Sequence, residues 1–266
     1  MASSPYAKRG VLWTTFRSHY GRDGARVLVW KGATLEMNPT LDPALVTAAF
    51  EDDPANAAAE YGAEFRSDIA AFVSREVIEA CTPAGRFEIP RQSGVKYVGF
   101  TDPSGGSSDA MVLAVAHREG ETAILDAIRE VRPPFSPEAV TRDFAAVLKT
   151  YGVSTVHGDR YAGEWPRERF SEHGIKYELS DRPKSDIYRD CLPLLNAGRV
   201  ELLDLPRLAT QLINLERRTT RGGRDSIDHP PGAHDDLANA AAGALLLAKA
   251  PGPAPARFIR VDIFSR

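Results

Sequence analysis

Three stretches of this chain place aspartates where one regular element gives way to another. Asp102 closes the apolar alternation of VKYVGFTD (95–102), Asp159 closes VSTVHGD (153–159), and Asp235 and Asp236 open the alanine-rich run HDDLANAAAGALLLAKA (234–250). If the first two stretches are adjacent parallel strands, Asp102 and Asp159 converge at their carboxyl ends, where open α/β sheets bind ligands. A helix packed across them adds Asp236. Converging carboxylates repel unless a cation neutralises them, and a set of hard oxygen ligands favours Mg2+ or Mn2+. Two such ions can clamp the attacking and leaving oxygens of a phosphodiester without any nucleophilic side chain. That chemistry suits a sequence with no Ser-His-Asp or Cys-His signature and no HExxH.

Each acid also has an ordinary structural role open to it. Asp102-Pro103 is a turn starter, Asp159 closes a strand-to-helix turn, and Asp235 is an N-cap with Asp236 favouring the positive end of the helix. Asp109, His157 and His234 lie beside the acids and are candidates to support them by hydrogen bonds. A turn residue (Asp109) and a satisfied core residue (His157) are the plainer readings. Lys184, before a helix, and Arg217, Arg218, Arg221 and Arg224 of RRTTRGGR (217–224) are candidates for phosphate contacts. A solvated face or an ordinary loop would use the same residues.

Strands are expected at about 95–101, 110–117 and 121–133, with Gly105, Gly106 and Gly120 supplying turns. Helix and strand then alternate: helix 136–152, capped by Ser136 and closed by Gly152, strand 153–159, helix 162–173, strand 175–179, helix 184–197, strand 199–203 and helix 206–217. A loop over 218–233 leads to the last helix, and 251–266 reads as a surface tail. This order predicts an α/β layer fold, a mixed sheet with helices on its faces. The front of the chain predicts a helix near the start, a strand at 26–32, and helices over 38–67 with Asp42-Pro43 and Asp53-Pro54 as N-terminal caps. The polar, proline- and glycine-rich stretch 82–94 is the expected domain boundary.

The chain has 266 residues, 43% hydrophobic and 26% charged, as expected of one large or two modest globular domains. A net charge of −3 does not announce nucleic-acid binding, so any such role rests on local patches. No run is long enough to span a membrane and the N-terminus lacks a secretory signal. Cys81 and Cys191 make neither a disulfide framework nor a zinc site, and a reducing cytoplasm is expected. Without GxxxxGK[ST], ATP hydrolysis by this chain alone is not expected.

VGFTDPSGGSSDA (98–110), VHGDRYAGEW (156–165) and HDDLANAAAGAL (234–245) together resemble the acid-bearing motifs of the tailed-bacteriophage terminase large subunit, the DNA-packaging motor. SSPYAKRG (3–10), MNPTLD (37–42) and AAAEYGAEFRSD (57–68) are similar to the end of that family's ATPase domain. The resemblance implies a remnant of the ATPase domain over 1–88 and a ribonuclease H-like nuclease domain over 89–266. It implies metal-dependent endonuclease cutting of concatemeric viral double-stranded DNA, with two Mg2+ or Mn2+ ions on Asp102, Asp159 and Asp236, and Asp235 as an alternative or addition. Terminase small subunit and portal protein are the implied partners, and the host cytoplasm during phage assembly the implied location. Some relatives have a further acid just inside the last helix, where this chain has Asn239. A Holliday-junction or RNase H-type nuclease, or a non-catalytic docking fragment of a packaging motor or prophage, is the alternative expectation.

Overall fold

The computed structural model describes residues 3–66, 68–159, 165–219 and 225–249. Its elements run α1 (Gly10–His19), α2 (Thr34–Met37), α3 (Pro43–Asp52), α4 (Pro54–Glu60), β1 (Ile69–Ala71), α5 (Arg75–Ala80), β2 (Tyr97–Asp102), β3 (Met111–Glu119) and β4 (Thr122–Val131). They continue with α6 (Pro137–Thr150), β5 (Thr155–Gly158), α7 (Trp165–Glu172), β6 (Lys176–Leu179), α8 (Lys184–Asn196), β7 (Val200–Glu201), α9 (Pro206–Asn214), β8 (Glu216–Thr219), β9 (Asp225–Asp228) and α10 (Asp236–Lys249). Two compact units result. One joins the chain up to Phe72 with Asn214–Pro231, and the other joins Val73–Ile213 with the chain from Gly232 onward. The stretch 82–94, read above as a boundary, lies inside the second unit.

In the first unit, Asp42 and Asp53 cap α3 and α4, accepting from the backbone N–H of Ala44 at 2.9 Å and of Asn56 at 3.0 Å. Each cap is followed by a proline that pre-sets the first helical φ. The expected strand at 26–32 is absent. Its local pattern is β-like, but it has no partner strand among the described residues, and Leu28 and Trp30 are 92% and 75% exposed. The expected helix 206–217 stops at Asn214, and the expected loop at 218–233 contains β8 and β9. These form a three-stranded antiparallel sheet in the order β1-β8-β9, with Ala71 opposite Glu216 and Arg217 opposite Ile227. Strand pairing supplied by β1 outweighs the helical propensity of 215–217.

The second unit is built on a six-stranded sheet of order β6-β5-β2-β3-β4-β7. Strands β2, β3 and β4 are antiparallel neighbours, while β5 runs parallel to β2 and β6, and β7 parallel to β4. Gly120, at φ 57°, makes the β3–β4 turn. Both faces of the sheet are covered. Val140, Phe144 and Leu148 of α6 pack on Tyr97, Met111 and Leu113, each such buried side chain contributing roughly 1.5–3 kcal/mol. Ser136 caps α6 by accepting from the Ala139 N–H at 3.4 Å, and Gly152, at φ 71°, follows its end. The opposite face lies under α10. The expected α/β layer fold is present, with helices on a mixed sheet. No helix among the described residues is long and apolar enough to cross a membrane.

Candidate metal centre

Residues Gly99, Phe100 and Thr101 pair in parallel register with Val156, His157 and Gly158. Asp102 and Asp159 therefore stand at the next rung, side by side at the carboxyl ends of β2 and β5. Pleat alternation sends Tyr97 toward α6 and Phe100 and Asp102 toward α10. Asn239, one turn inside α10 and 1% exposed, donates from Nδ2 to Asp102 Oδ2 at 2.9 Å. Gly243, one turn further, lies against Phe100 so closely that a Cβ there would meet the ring at 2.5 Å. The helix is thus seated on β2 at two successive turns.

The acids act on one another. Burial raises the Asp102 carboxyl to about 8, and Asp236, Asp235 and Asp159 push it in the same direction, while the Asn239 hydrogen bond favours its ionised form. Asp236 is also raised, first by burial and then by Asp235, with His234 and the Ala110 backbone N–H opposing. The tandem aspartates differ in their surroundings. Asp235 accepts from the Tyr188 hydroxyl at 2.8 Å and pairs with Lys184 Nζ at 3.1 Å. Lys184 and Tyr188 stand four residues apart on α8, so one helix face delivers both.

Of the other residues singled out from sequence, His234 pairs with Asp109 at 3.5 Å, and both act electrostatically on Asp236. His157 shares the Phe100 rung, two rungs back from the acids. Its Nε2 is 3.2 Å from Glu178, and its buried Nδ1 has no hydrogen-bond partner among the described residues. Phe100, His157, Arg182, Ile187 and Gly243 line a cavity of about 810 Å³ there. Lys184 is engaged with Asp235. Arg217 and Arg218 belong to β8 in the first unit, bonded to Asp225 and Glu216 respectively, whereas Arg221 and Arg224 fall outside the described residues. Three residues were missed by sequence reasoning as parts of this site. Asn239 and Tyr188 are named above, and Gln211 accepts from the Ala238 N–H at 3.0 Å near the start of α10. Asparagine inside a run of alanines was the available signal, since it is a poor helix former.

Asp102, Asp159 and Asp236 offer carboxylate oxygens on partly or fully buried side chains, and Asp236 and Asp159 both raise Asp102 electrostatically. That set suits a hard divalent cation, which would offset the charge that burial otherwise opposes.

No family model and no curated protein sequence matches the chain. Solved structures do match. The large terminase nuclease of thermophilic phage G20c with bound magnesium aligns at 17% identity and TM-score 0.52, covering 64% of this chain and 96% of that one. The chain has the fold of a phage large-terminase nuclease. That terminase fold is ribonuclease H-like. It recurs in a variant nuclease domain of the large terminase subunit of bacterial virus Sf6, solved with manganese and beta-thujaplicinol (16% identity, TM-score 0.52, covering 69% of this chain and all of that one). The bacteriophage HK97 large terminase aligns at 17% identity and TM-score 0.53, over 79% of this chain and 53% of that one. The chain thus spans about half the length of that terminase. At these identities the likeness is one of fold.

Proposed function

We propose that the chain is a metal-dependent endonuclease that cuts double-stranded viral DNA during genome packaging, with Asp102, Asp159 and Asp236 as the metal ligands. The observation that carries this reading is the placement of Asp102 and Asp159 at the adjacent carboxyl ends of β2 and β5, with Asp236 at the start of α10, the helix whose Asn239 bonds to Asp102. The magnesium and manganese bound to the G20c and Sf6 nucleases support it. Bound by these acids, Mg2+ or Mn2+, in a pair if both positions fill, would activate water and stabilise the leaving oxygen of a phosphodiester.

The chain's own groups have separable tasks. Asn239 fixes the rotamer of Asp102 and favours its ionised form, the form that can bind a cation. Lys184 and Tyr188 engage Asp235 and offset its charge, which leaves Asp236 as the ligand supplied by α10. Arg217, the exposed arginine of β8, is the proposed contact to the DNA backbone. In the assembled packaging machine the terminase small subunit and the portal protein are the proposed partners.

The test is digestion of supercoiled plasmid with Mn2+, with and without EDTA. Nicked and linear products that vanish with EDTA are expected. Cleavage of Holliday junctions or RNA–DNA hybrids with intact plasmid would sink the duplex reading, and no cleavage of any substrate would sink the catalytic one. Asn239→Ala should weaken Mn2+ binding or cleavage by roughly 10–100-fold, the usual cost of losing a residue that orients a ligand. Calorimetric Mn2+ titration of both proteins checks it.

A further inference from the structure

Glu216, the first residue of β8, is 0% exposed. Three donors converge on its carboxylate. Arg9 Nη2 reaches Oε1 at 2.5 Å, the Tyr6 hydroxyl reaches Oε2 at 2.9 Å, and Arg218 Nη2 reaches Oε2 at 3.0 Å. Tyr6 and Arg9 lie 210 and 207 positions from Glu216 in sequence. The N-terminal segment is held from its other side as well. The Arg66 N–H donates to the Tyr6 carbonyl at 2.7 Å, and the Arg66 guanidinium, bonded to Asp68 at 2.7 Å, lies 5.9 Å from the Tyr6 ring centre.

A buried carboxylate held by two arginines adds little net stability over an apolar side chain of similar volume, although removing one partner is costly. What such a cluster does supply is a fixed relative position of the segments that meet in it. Here those segments are residues 6–9 and the base of the β8–β9 hairpin. Pleat alternation turns Glu216 and Arg218 into the cluster and leaves Arg217 exposed on the other side, paired across the hairpin with Asp225.

We propose that Glu216 is a positioning residue through which Tyr6 and Arg9 set the placement of the β8–β9 hairpin, so that its hold on duplex DNA depends on the N-terminal segment. The ligand in this proposal rests on the nuclease reading above. The experiment is fluorescence anisotropy of a short labelled duplex, titrated in EDTA at several salt concentrations. It compares the full chain with Tyr6→Phe, Arg9→Gln, Arg9→Lys and Arg217→Ala. Arg217→Ala should weaken binding and lower the salt slope by about one, as for a lost phosphate contact. Tyr6→Phe and Arg9→Gln should each raise Kd by about fivefold or more, Arg9→Lys should restore it, and the Mn2+-induced thermal shift should be the same in all. If Arg217→Ala weakens binding and the Tyr6 and Arg9 variants do not, the positioning role is overturned and the DNA-binding reading stands. If Arg217→Ala has no effect, the hairpin does not hold DNA and both fall.

Discussion

Asp102→Asn should raise the stability of the metal-free protein while reducing cleavage by more than about 100-fold, beyond the cost of losing a residue that merely orients a ligand. The two effects share one cause. The Asp102 carboxyl rises from its ordinary 3.8 to about 8 through burial and the nearby Asp236, Asp235 and Asp159. A carboxyl raised on folding contributes stability below its unfolded pKa and loses it as pH climbs toward the folded value. Wild type should therefore weaken between about pH 4 and 8 in EDTA, whereas the asparagine variant has nothing to ionise there. Asparagine keeps an acceptor for the Asn239 amide. Near pH 7 the gain has a ceiling of roughly 4 kcal/mol. Residual solvent contact at Asp102 lowers it to roughly 1–3 kcal/mol, a rise in Tm of roughly 3–9 °C. With saturating Mn2+ the order should reverse, because the ion stabilises only the form that binds it. Melting curves at pH 4 and pH 8, with EDTA and with Mn2+, read all of this. A variant no more stable than wild type at pH 8 in EDTA would refute the account of the carboxylate cluster.

The second large effect is expected at Gly243. Replacing a helix-interior glycine with alanine ordinarily gains about 1 kcal/mol of helix propensity, and valine gains somewhat less. Here the new Cβ would meet Phe100 Cγ and Cδ2 at 2.5 Å, and Phe100 is 2% exposed with little room to retreat. Overpacking of this kind costs roughly 1–3 kcal/mol or more, so the clash outweighs the propensity. Gly243→Val should lower Tm by roughly 5–10 °C, taking 2–4 °C per kcal/mol for a unit of this size. It should also loosen the Asn239–Asp102 hydrogen bond one turn away, so cleavage falls along with stability. Thermal melts and plasmid digestion of the same preparation measure both.

The acids were legible in the sequence because local physics places them. Alternation identifies β2 and β5, glycines and Pro103 mark where β2 ends, and Asp235–Asp236 sits at a recognisable helix start. The parallel register that sets Asp102 beside Asp159 was expected from the helix–strand alternation between them. What distant segments impose was not legible. Strand β1 is three residues long and exists only through β8, which in turn reads locally as the end of a helix. The 26–32 segment has the local pattern of a strand and lacks a neighbouring strand among the described residues. Asn239 looked like a departure from an acidic pattern, and its bond to Asp102 comes from the seating of α10 on β2. The sharing of Asp235 with Lys184 and Tyr188 likewise depends on how α8 lies against α10.

The sheet β1-β8-β9 has a bearing on how the chain is made. On the ribosome β1 emerges long before β8, and the whole of β2 to α9 is synthesised between them. Left unfolded, that interval imposes an entropic cost on pairing β1 with β8 that grows with its length. Once it has collapsed into the second unit, the cost falls to that of a short tether. Synthesis order and loop entropy thus favour completion of the intervening unit first and closure of the small sheet last. A truncated chain starting at residue 89 would produce β8 and β9 without β1, and Glu216 without Tyr6 or Arg9, leaving a buried acid in search of charge and an open strand edge prone to self-association.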